Sequence, residues 1–367
     1  MAACDILVRG DGAVGLAAAL ALSRRGFEVA LLGHGAPAQD DVRAYALNRA
    51  SVDLLEQLKV WDAIPADART AVHEMVIDGD APGATLAFSA WSQALPQLAW
   101  IVDTAALEAA LRDAVRFAPH VRRVEAEVDA ALTVLAEGKD SATRGRFGAR
   151  MQRQPYGQRA IAARLVSELP HVGLARQWFR APDVLALLPL DRPRVGHGLA
   201  LVWSVPEARA QELLALDDAA FTECLMEATA GAAGALQLAS ARVAWPLAIG
   251  RAEPLFGPGW VLVGDAAHVV HPLAGQGLNL GLADVASLAD VLAGREPWRG
   301  LGEERLLARH ARERDWPTRS MGLLTDGLLH LFASPSPVVR ELRNRGLGLV
   351  NHLPPLKRAL VQRAMGR

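Results

Sequence analysis

The sequence predicts a mixed α/β (α+β) chain. It has a discontinuous, doubly wound parallel-sheet domain, an inserted strand-rich domain and a helical C-terminal segment. Three observations predict this. The N-terminus, DILVRGDGAVGLAAALALSRRGFEVALL, is an apolar run, a glycine cluster, an Ala/Leu helix closed by Gly26 and a second apolar run, which is a βαβ unit. From about 155 to 250 the chain turns strand-rich, with AIAARLVSEL, GLARQWFR, LALLPL, GLALVWSVP and ARVAWPLAI around one helical stretch. WVLV at 260–263 then returns to a buried parallel-strand character, and after about 278 the periodicity is helical.

Between these blocks the elements follow in order. AYALNRASVDLLEQLKVWDAI has helical periodicity, with Ser51 the expected N-cap. HEMVIDG and ATLAFSAW are strand-like, and DTAALEAALRDAV is a helix with Leu107, Leu111 and Val115 four apart. The helical tail is broken at PW (297–298), SPSP (334–337) and LPPL (353–356). The expected domains are 1–72, 101–154 and 250–300 for the discontinuous domain, 73–100 and 155–249 for the insertion, and 301–367 for the helical region.

The 367 residues, 51% hydrophobic and 22% charged, have an ordinary globular composition, sufficient for two or three domains. A net charge of −1 gives nucleic acid no global attraction. Cys4 and Cys224 are the only cysteines, which suggests a reducing compartment without a disulfide framework. The first strand starts almost at Met1, leaving no room for a signal peptide, and no run approaches the roughly 18 apolar residues of a membrane span. The expected location is cytoplasmic, peripheral on the inner face of the membrane.

Gly10-Asp-Gly12-Ala13-Val14-Gly15 follows a strand and opens a helix. The first glycine allows the tight turn, the second lets a pyrophosphate approach the backbone, and the third lets helix and strand pack closely. The helix N-terminus then faces the anion. The bland alternative is a glycine-rich turn without a ligand. A Rossmann-like unit also needs an acid at the end of its second strand for the ribose hydroxyls. Here Gly33 stands in that place, with His34, Asp40 and Asp41 the available substitutes.

The stretch 264–285, GDAAHVVHPLAGQGLNLGLADV, holds few reactive side chains and much backbone freedom. A metal site of Asp265, His268 and His271 is one reading of the spacing, but Pro272 and the glycines break the helix it would need. No metal is expected. The better reading is a flavin cradle. Gly264-Asp265 ends a parallel strand, where doubly wound sheets bind ligands, and Asp265 can accept hydrogen bonds from sugar-like hydroxyls. Gly275-Gln276-Gly277 keeps the backbone bare, and Leu278 and Asn279 begin a helix whose free N–H groups suit a delocalised anion. A reduced flavin carries its charge at the N1–C2=O edge, where backbone dipoles stabilise it without a charged side chain.

The pair GDGAVG and GDAAHVVHPLAGQGLNLGLADV resembles the group A flavin monooxygenases of the para-hydroxybenzoate hydroxylase fold. The resemblance is closer still to the ubiquinone-biosynthesis hydroxylase branch (the UbiH/VisC type). RAYALNRASVDLLEQLKVWDAI at 43–64, QPYGQRAIAARL at 154–165, AWPLAIGRAEPLFGPGWVLVGDAAH at 244–268 and the tail from 325 fit that branch as well. The resemblance implies an FAD-binding domain with an inserted β-rich substrate domain, and an FAD site built from Gly10, Gly12, Gly15, Arg43, Asp265 and the 275–279 loop. It implies NAD(P)H as co-substrate and a flavin C4a-hydroperoxide that hydroxylates an activated aromatic ring. Pro272 would sit on the oxygen-reacting side, so Pro272 and the Gly275 backbone are the expected catalytic positions. No side-chain base is assigned; His171 and His271 qualify by residue type alone.

Three departures from the family pattern stand out. Gly33 replaces the ribose acid; Glu137-Gly138 replaces an Asp-Gly motif; and the 26 positions from Leu111 to Glu137 are short for this branch, as if a hairpin were trimmed. Nine tryptophans against two tyrosines raise the idea that Trp178, Trp203 or Trp245 lines a cavity for a prenylated ring, core packing being the alternative. Segment 338–367 carries seven Lys and Arg against Glu341, interleaved with leucines, which suits contact with anionic lipid or a solvated helical face. The leading expectation is an FAD-dependent hydroxylase of a prenylated phenol in quinone biosynthesis, with O2 as co-substrate. The alternatives are a flavin-dependent reductase on the same fold and a non-catalytic flavoprotein subunit of a quinone-biosynthesis complex.

Overall fold

A computed structural model describes residues 4–33, 41–81, 83–270, 276–333 and 357–358. Its first sheet has six strands in the spatial order Val121–Val124, Val29–Leu32, Cys4–Arg9, Ala130–Leu135, Trp260–Leu262, Phe256–Gly257. All but the last, antiparallel, edge strand run parallel. This is the doubly wound arrangement expected of the βαβ opening. Helix Ala13–Arg24 is buried at nearly every position, because its small Ala side chains let it lie between the sheet and helices Thr104–Arg116 and Gln276–Ala293. The strands Val121–Val124 and Ala130–Leu135 are joined by residues 125–129 alone, with no hairpin between them.

The second sheet gathers nine strands, among them Glu74–Asp78, Thr85–Ser89, Leu174–Arg180, Asp183–Pro189 and Gly198–Pro206. Its spine is Arg150–Ser167, which pairs with Val243–Glu253 along both halves and shifts register between Pro155 and Arg159. Proline cannot donate to a ladder, so the shift falls at Pro155. Both long strands run continuously across positions 154 and 249, where the sequence pattern suggested domain edges.

One face of this sheet is covered by helices Glu207–Ala215 and Asp218–Ala228. Ile161, Leu165, Leu201, Trp203 and Phe221 form the core beneath them. Trp178 and Trp203 belong to that core, 3% and 0% exposed, and Trp203 donates to Asp183 Oδ2 at 3.2 Å. They are packing residues, and only Trp245 of the three lies on the other face, in register with Ala160. That face turns toward a three-stranded sheet of Ala44–Leu47, Arg69–Val72 and Ala99–Asp103. Arg164 bridges the two, donating to Asp103 Oδ2 at 2.8 Å and to the Arg43 carbonyl at 2.6 Å.

The helix of residues 49–57 is capped by Asn48, not by Ser51: the Asn48 side chain accepts from the Ser51 N–H at 2.9 Å. Ser51 lies one turn inside and is buried, its hydroxyl committed elsewhere. Among the described residues no helix is long and apolar enough to cross a membrane.

Candidate cofactor site

Gly10, Gly33, Glu137 and Gly264 each follow closely on one of the parallel strands, so all four gather at the carboxyl edge of the first sheet. The strand order reverses on either side of Cys4–Arg9, and the crevice at such a reversal is where doubly wound sheets take ligands. Gly10 lies in the left-handed region at φ +109°, and a Cβ there would meet the Ala136 carbonyl oxygen at 2.4 Å. A Cβ at Gly15 would meet the Gly10 carbonyl oxygen at 1.9 Å. Gly12 is different. Nothing lies within 4 Å of its Cβ position and the residue is exposed, so its backbone is open to an approaching group.

Helix Ala13–Arg24 begins at Gly12 without a side-chain cap and with no acid in its first turn. Its leading N–H groups and positive dipole end are left for an external anion. Ala13 is buried beneath this opening. Val14 is a wedge: its methyls would meet a Cβ on Gly264 at 3.1 Å and one on Gly281 at 2.7 Å. The two glycines thus let the first helix pack against the 264–285 stretch and bring the two helix starts together.

Within that stretch, Gly264–Ala266 is a single tight turn, and His268–Val269 crosses to pair with Gly250 and Arg251 of the second sheet. Asp265 is exposed at the lip of the crevice, with Oδ1 3.9 Å from the Cβ position of Gly277. The surrounding protein, by limiting solvation, raises its carboxyl above the ordinary range. Helix Gln276–Ala293 already includes Gln276 and Gly277, ahead of the expected Leu278, and Leu278 is buried.

Asn279 is buried and its side chain stitches elements together. Its amide donates to the Ala46 carbonyl at 2.7 Å, and its oxygen accepts from Asn48 N at 2.9 Å and Ser51 Oγ at 2.7 Å. Its role in the cradle is to fix the helix start against the 46–51 segment.

Sequence reasoning missed the residue that anchors this helix. Asp284 accepts from Gly264 N at 3.0 Å, sits 2.6 Å from His268 Nε2, and accepts from Arg314 Nε at 2.7 Å. His268 therefore turns to Asp284. Burial raises the Asp284 carboxyl, but His268 and Arg314 outweigh it and hold the group far below the ordinary carboxylate range. The available signal was the one charged residue in the stretch LNLGLADVASLA.

Glu137, the acid that departs from the family pattern, is an acceptor hub. Its carboxylate accepts from Ser141 Oγ at 2.6 Å, Thr143 Oγ1 at 2.7 Å and Arg9 Nε at 3.1 Å. Ser141 in turn accepts from Arg144 N, and Arg144 donates to the Ala266 carbonyl at 3.1 Å, beside Asp265. The motif thus ties the end of one parallel strand to the turn after another.

Arg43 is exposed and held by Asp41, whose carboxylate accepts from its Nε at 2.8 Å. That hydrogen bond raises the guanidinium further above its ordinary range. Gly33 has no room for a side chain, because a Cβ there would meet Asp11 Cγ at 2.2 Å and Oδ2 at 2.6 Å. His34, Asp40, His271, Pro272 and Gly275 lie outside the described residues. His171 sits 3.2 Å from Asp191 Oδ1 and accepts from Gly173 N at 3.1 Å, so it is tied into a turn of the second sheet. Among the described residues no group of three or more His, Cys, Asp or Glu is placed to hold a metal ion.

A family model described as an FAD binding domain matches residues 3–117 and 99–321. The chain belongs to the FAD binding domain family. It is 30% identical to the ubiquinone hydroxylase UbiL of Rhodospirillum rubrum, over 99% of this chain and 89% of that protein. It is likewise 30% identical to the 3-demethoxyubiquinol 3-hydroxylase of Escherichia coli, over 99% and 98%. PqsL, a probable FAD-dependent monooxygenase from Pseudomonas aeruginosa, shares the fold with a TM-score of 0.76 at 22% identity, over 94% of this chain and 99% of that one. Klebsiella pneumoniae HpxO, solved with FAD and uric acid, does so with a TM-score of 0.76 at 17% identity, over 98% and 96%.

The residues present fit FAD. The open backbone at Gly12 and the uncapped helix behind it suit a diphosphate, and Asp265 is an acceptor for hydroxyls at the lip. Gly277, whose Cβ position lies 3.9 Å from Asp265 Oδ1, brings the beginning of helix Gln276–Ala293 to the same crevice.

Proposed function

We propose that this protein hydroxylates the aromatic ring of a prenylated ubiquinone precursor in an FAD-dependent monooxygenase reaction. NAD(P)H and O2 are co-substrates, and the ring C–H, O2, NAD(P)H and a proton become ring C–OH, water and NAD(P)+. The observation that carries this reading is the packing of the GDGAVG segment, through Val14, against Gly264 and Gly281 at one sheet edge, in a chain 30% identical over 99% of its length to a ubiquinone hydroxylase and a 3-demethoxyubiquinol 3-hydroxylase. Bound FAD supplies hydride acceptance and oxygen activation. The chain supplies position and dipoles: Val14, Gly264 and Gly281 bring the two helix starts together, and Asn279 and Asp284 fix the second one. In this reading Pro272 and Gly275, which lie outside the described residues, remain the catalytic positions.

The discontinuous part around the first sheet is the cofactor domain and the insertion carrying the nine-stranded sheet is the substrate domain, with strands Arg150–Ser167 and Val243–Glu253 running across the expected edges at 154 and 249. The basic segment 338–367 meets anionic lipid from the cytoplasmic side. The test is incubation with a polyprenyl phenol and NAD(P)H under ¹⁸O2, read by mass spectrometry. One ¹⁸O in a hydroxylated ring is expected. Nicotinamide oxidation with no labelled product would point to a reductase, and bound flavin without turnover to a non-catalytic subunit.

A further inference from the structure

We propose that Asp11, inside the glycine loop, is the carboxylate that holds the adenosine ribose of FAD. It takes over from the acid that dinucleotide-binding sheets carry at the end of their second strand. The proposal rests on the FAD reading of the site and is independent of the substrate.

The residue at the expected position is Gly33, directly after Val29–Leu32. Backbone conformation does not demand a glycine there, since its φ lies outside the left-handed region. Space does. The first two strands are in register, Arg9 opposite Leu32, and Gly10 N donates to the Leu32 carbonyl at 2.8 Å. The chain continuing past Gly10 therefore passes over the end of the second strand. Asp11 Cγ comes to 2.2 Å from the place where a Cβ on residue 33 would stand. The carboxyl group thus starts where the side chain of a strand-end acid would start, at the same edge of the same crevice.

Of the other candidates, His34 and Asp40 lie outside the described residues, and the described ones are committed or further away. Asp41 is engaged by Arg43, through its backbone N–H and its guanidinium. Asp265 lies two strands from Cys4–Arg9, on the side opposite Val29–Leu32. Among the described residues Asp11 has no hydrogen-bond or ion-pair partner, and it is half-buried. A half-buried carboxylate without a protein donor, one residue before the open Gly12 backbone, suits hydroxyl donors from a ligand.

Gly33 and Asp11 are then one exchange: the acid moved from strand end to loop, and the strand end lost its side chain to admit it. The test is titration of the purified apo-chain with FAD and, separately, with FMN, which lacks the adenosine. Asp11→Asn and Asp11→Ala are expected to weaken FAD about tenfold to a hundredfold, as for hydrogen bonds to a charged group, and to leave FMN unchanged. Gly33→Glu alone weakens FAD by displacing Asp11, and the double variant Asp11→Gly with Gly33→Glu recovers most of the affinity. FAD affinity unchanged or improved in Asp11→Asn would overturn the proposal, the latter by making Asp11 a repulsive neighbour of the diphosphate. Equal losses for FAD and FMN would overturn it too, by showing a collapsed loop. A wild-type chain that binds neither flavin would contradict the cofactor reading as well.

Discussion

Single residues at this site work mostly by holding backbone in place. Asn279 satisfies Ala46 O, Asn48 N and Ser51 Oγ at once. Asn279→Ala would strand buried polar groups, at about 1–3 kcal/mol each. We expect a loss of about 2–4 kcal/mol in urea unfolding, with weaker FAD binding because the helix start loses its anchor. Full stability in that variant would show that the stitch is dispensable. At Glu137, burial raises the carboxyl, yet bonds from Ser141, Thr143 and Arg9 hold it below the ordinary range. Glu137→Gln should therefore destabilise the chain, by about 1–3 kcal/mol, while Glu137→Asp, which keeps the carboxylate, should be milder.

At the scale of elements, helix Gln276–Ala293 is pinned through Asp284 to the turn after Trp260–Leu262 and to helix Glu304–Ala333. Asp284→Ala leaves His268 and Arg314 facing a buried void, and breaking such a buried pair costs about 3–5 kcal/mol. The clamp also sets a pH dependence. Burial keeps His310, which meets Ser287 Oγ at 3.0 Å, below its ordinary value of 6.5. A lowered folded pKa means that the unfolded chain binds the proton first, so stability falls as pH drops below 6.5. Asp284 is also depressed, and its contribution is lost only at far more acid pH. Urea midpoints should therefore decline between about pH 7 and pH 5, and His310→Gln should flatten part of that decline. A flat wild-type profile would contradict the assignment.

At the scale of the whole molecule, much was legible in the sequence because it is local. The strand–glycine–helix opening, the buried WVLV strand and helix Gln276–Ala293 all follow from short-range pattern. What was not legible depends on distant partners. Ser51 was expected to cap its helix from its residue type, yet Asn48 caps it, freeing Ser51 to meet Asn279 from 228 positions away. Gly33 seemed a missing acid, because nothing local says that Asp11 stands over it. Arg150–Ser167 looked like a domain edge followed by a strand, and tertiary pairing joined them into one strand of 18 residues. The basic 338–367 segment carries its own prediction at this scale: charge reversal at Arg358 and Arg363 should abolish binding to anionic liposomes, and unchanged binding would remove the lipid contact.

The measurement that bears most directly on the account is the visible absorption spectrum of the purified chain titrated with FAD. The account predicts a shifted, protein-bound flavin spectrum that saturates at one FAD per chain. A spectrum that stays that of free FAD at high concentration would contradict it.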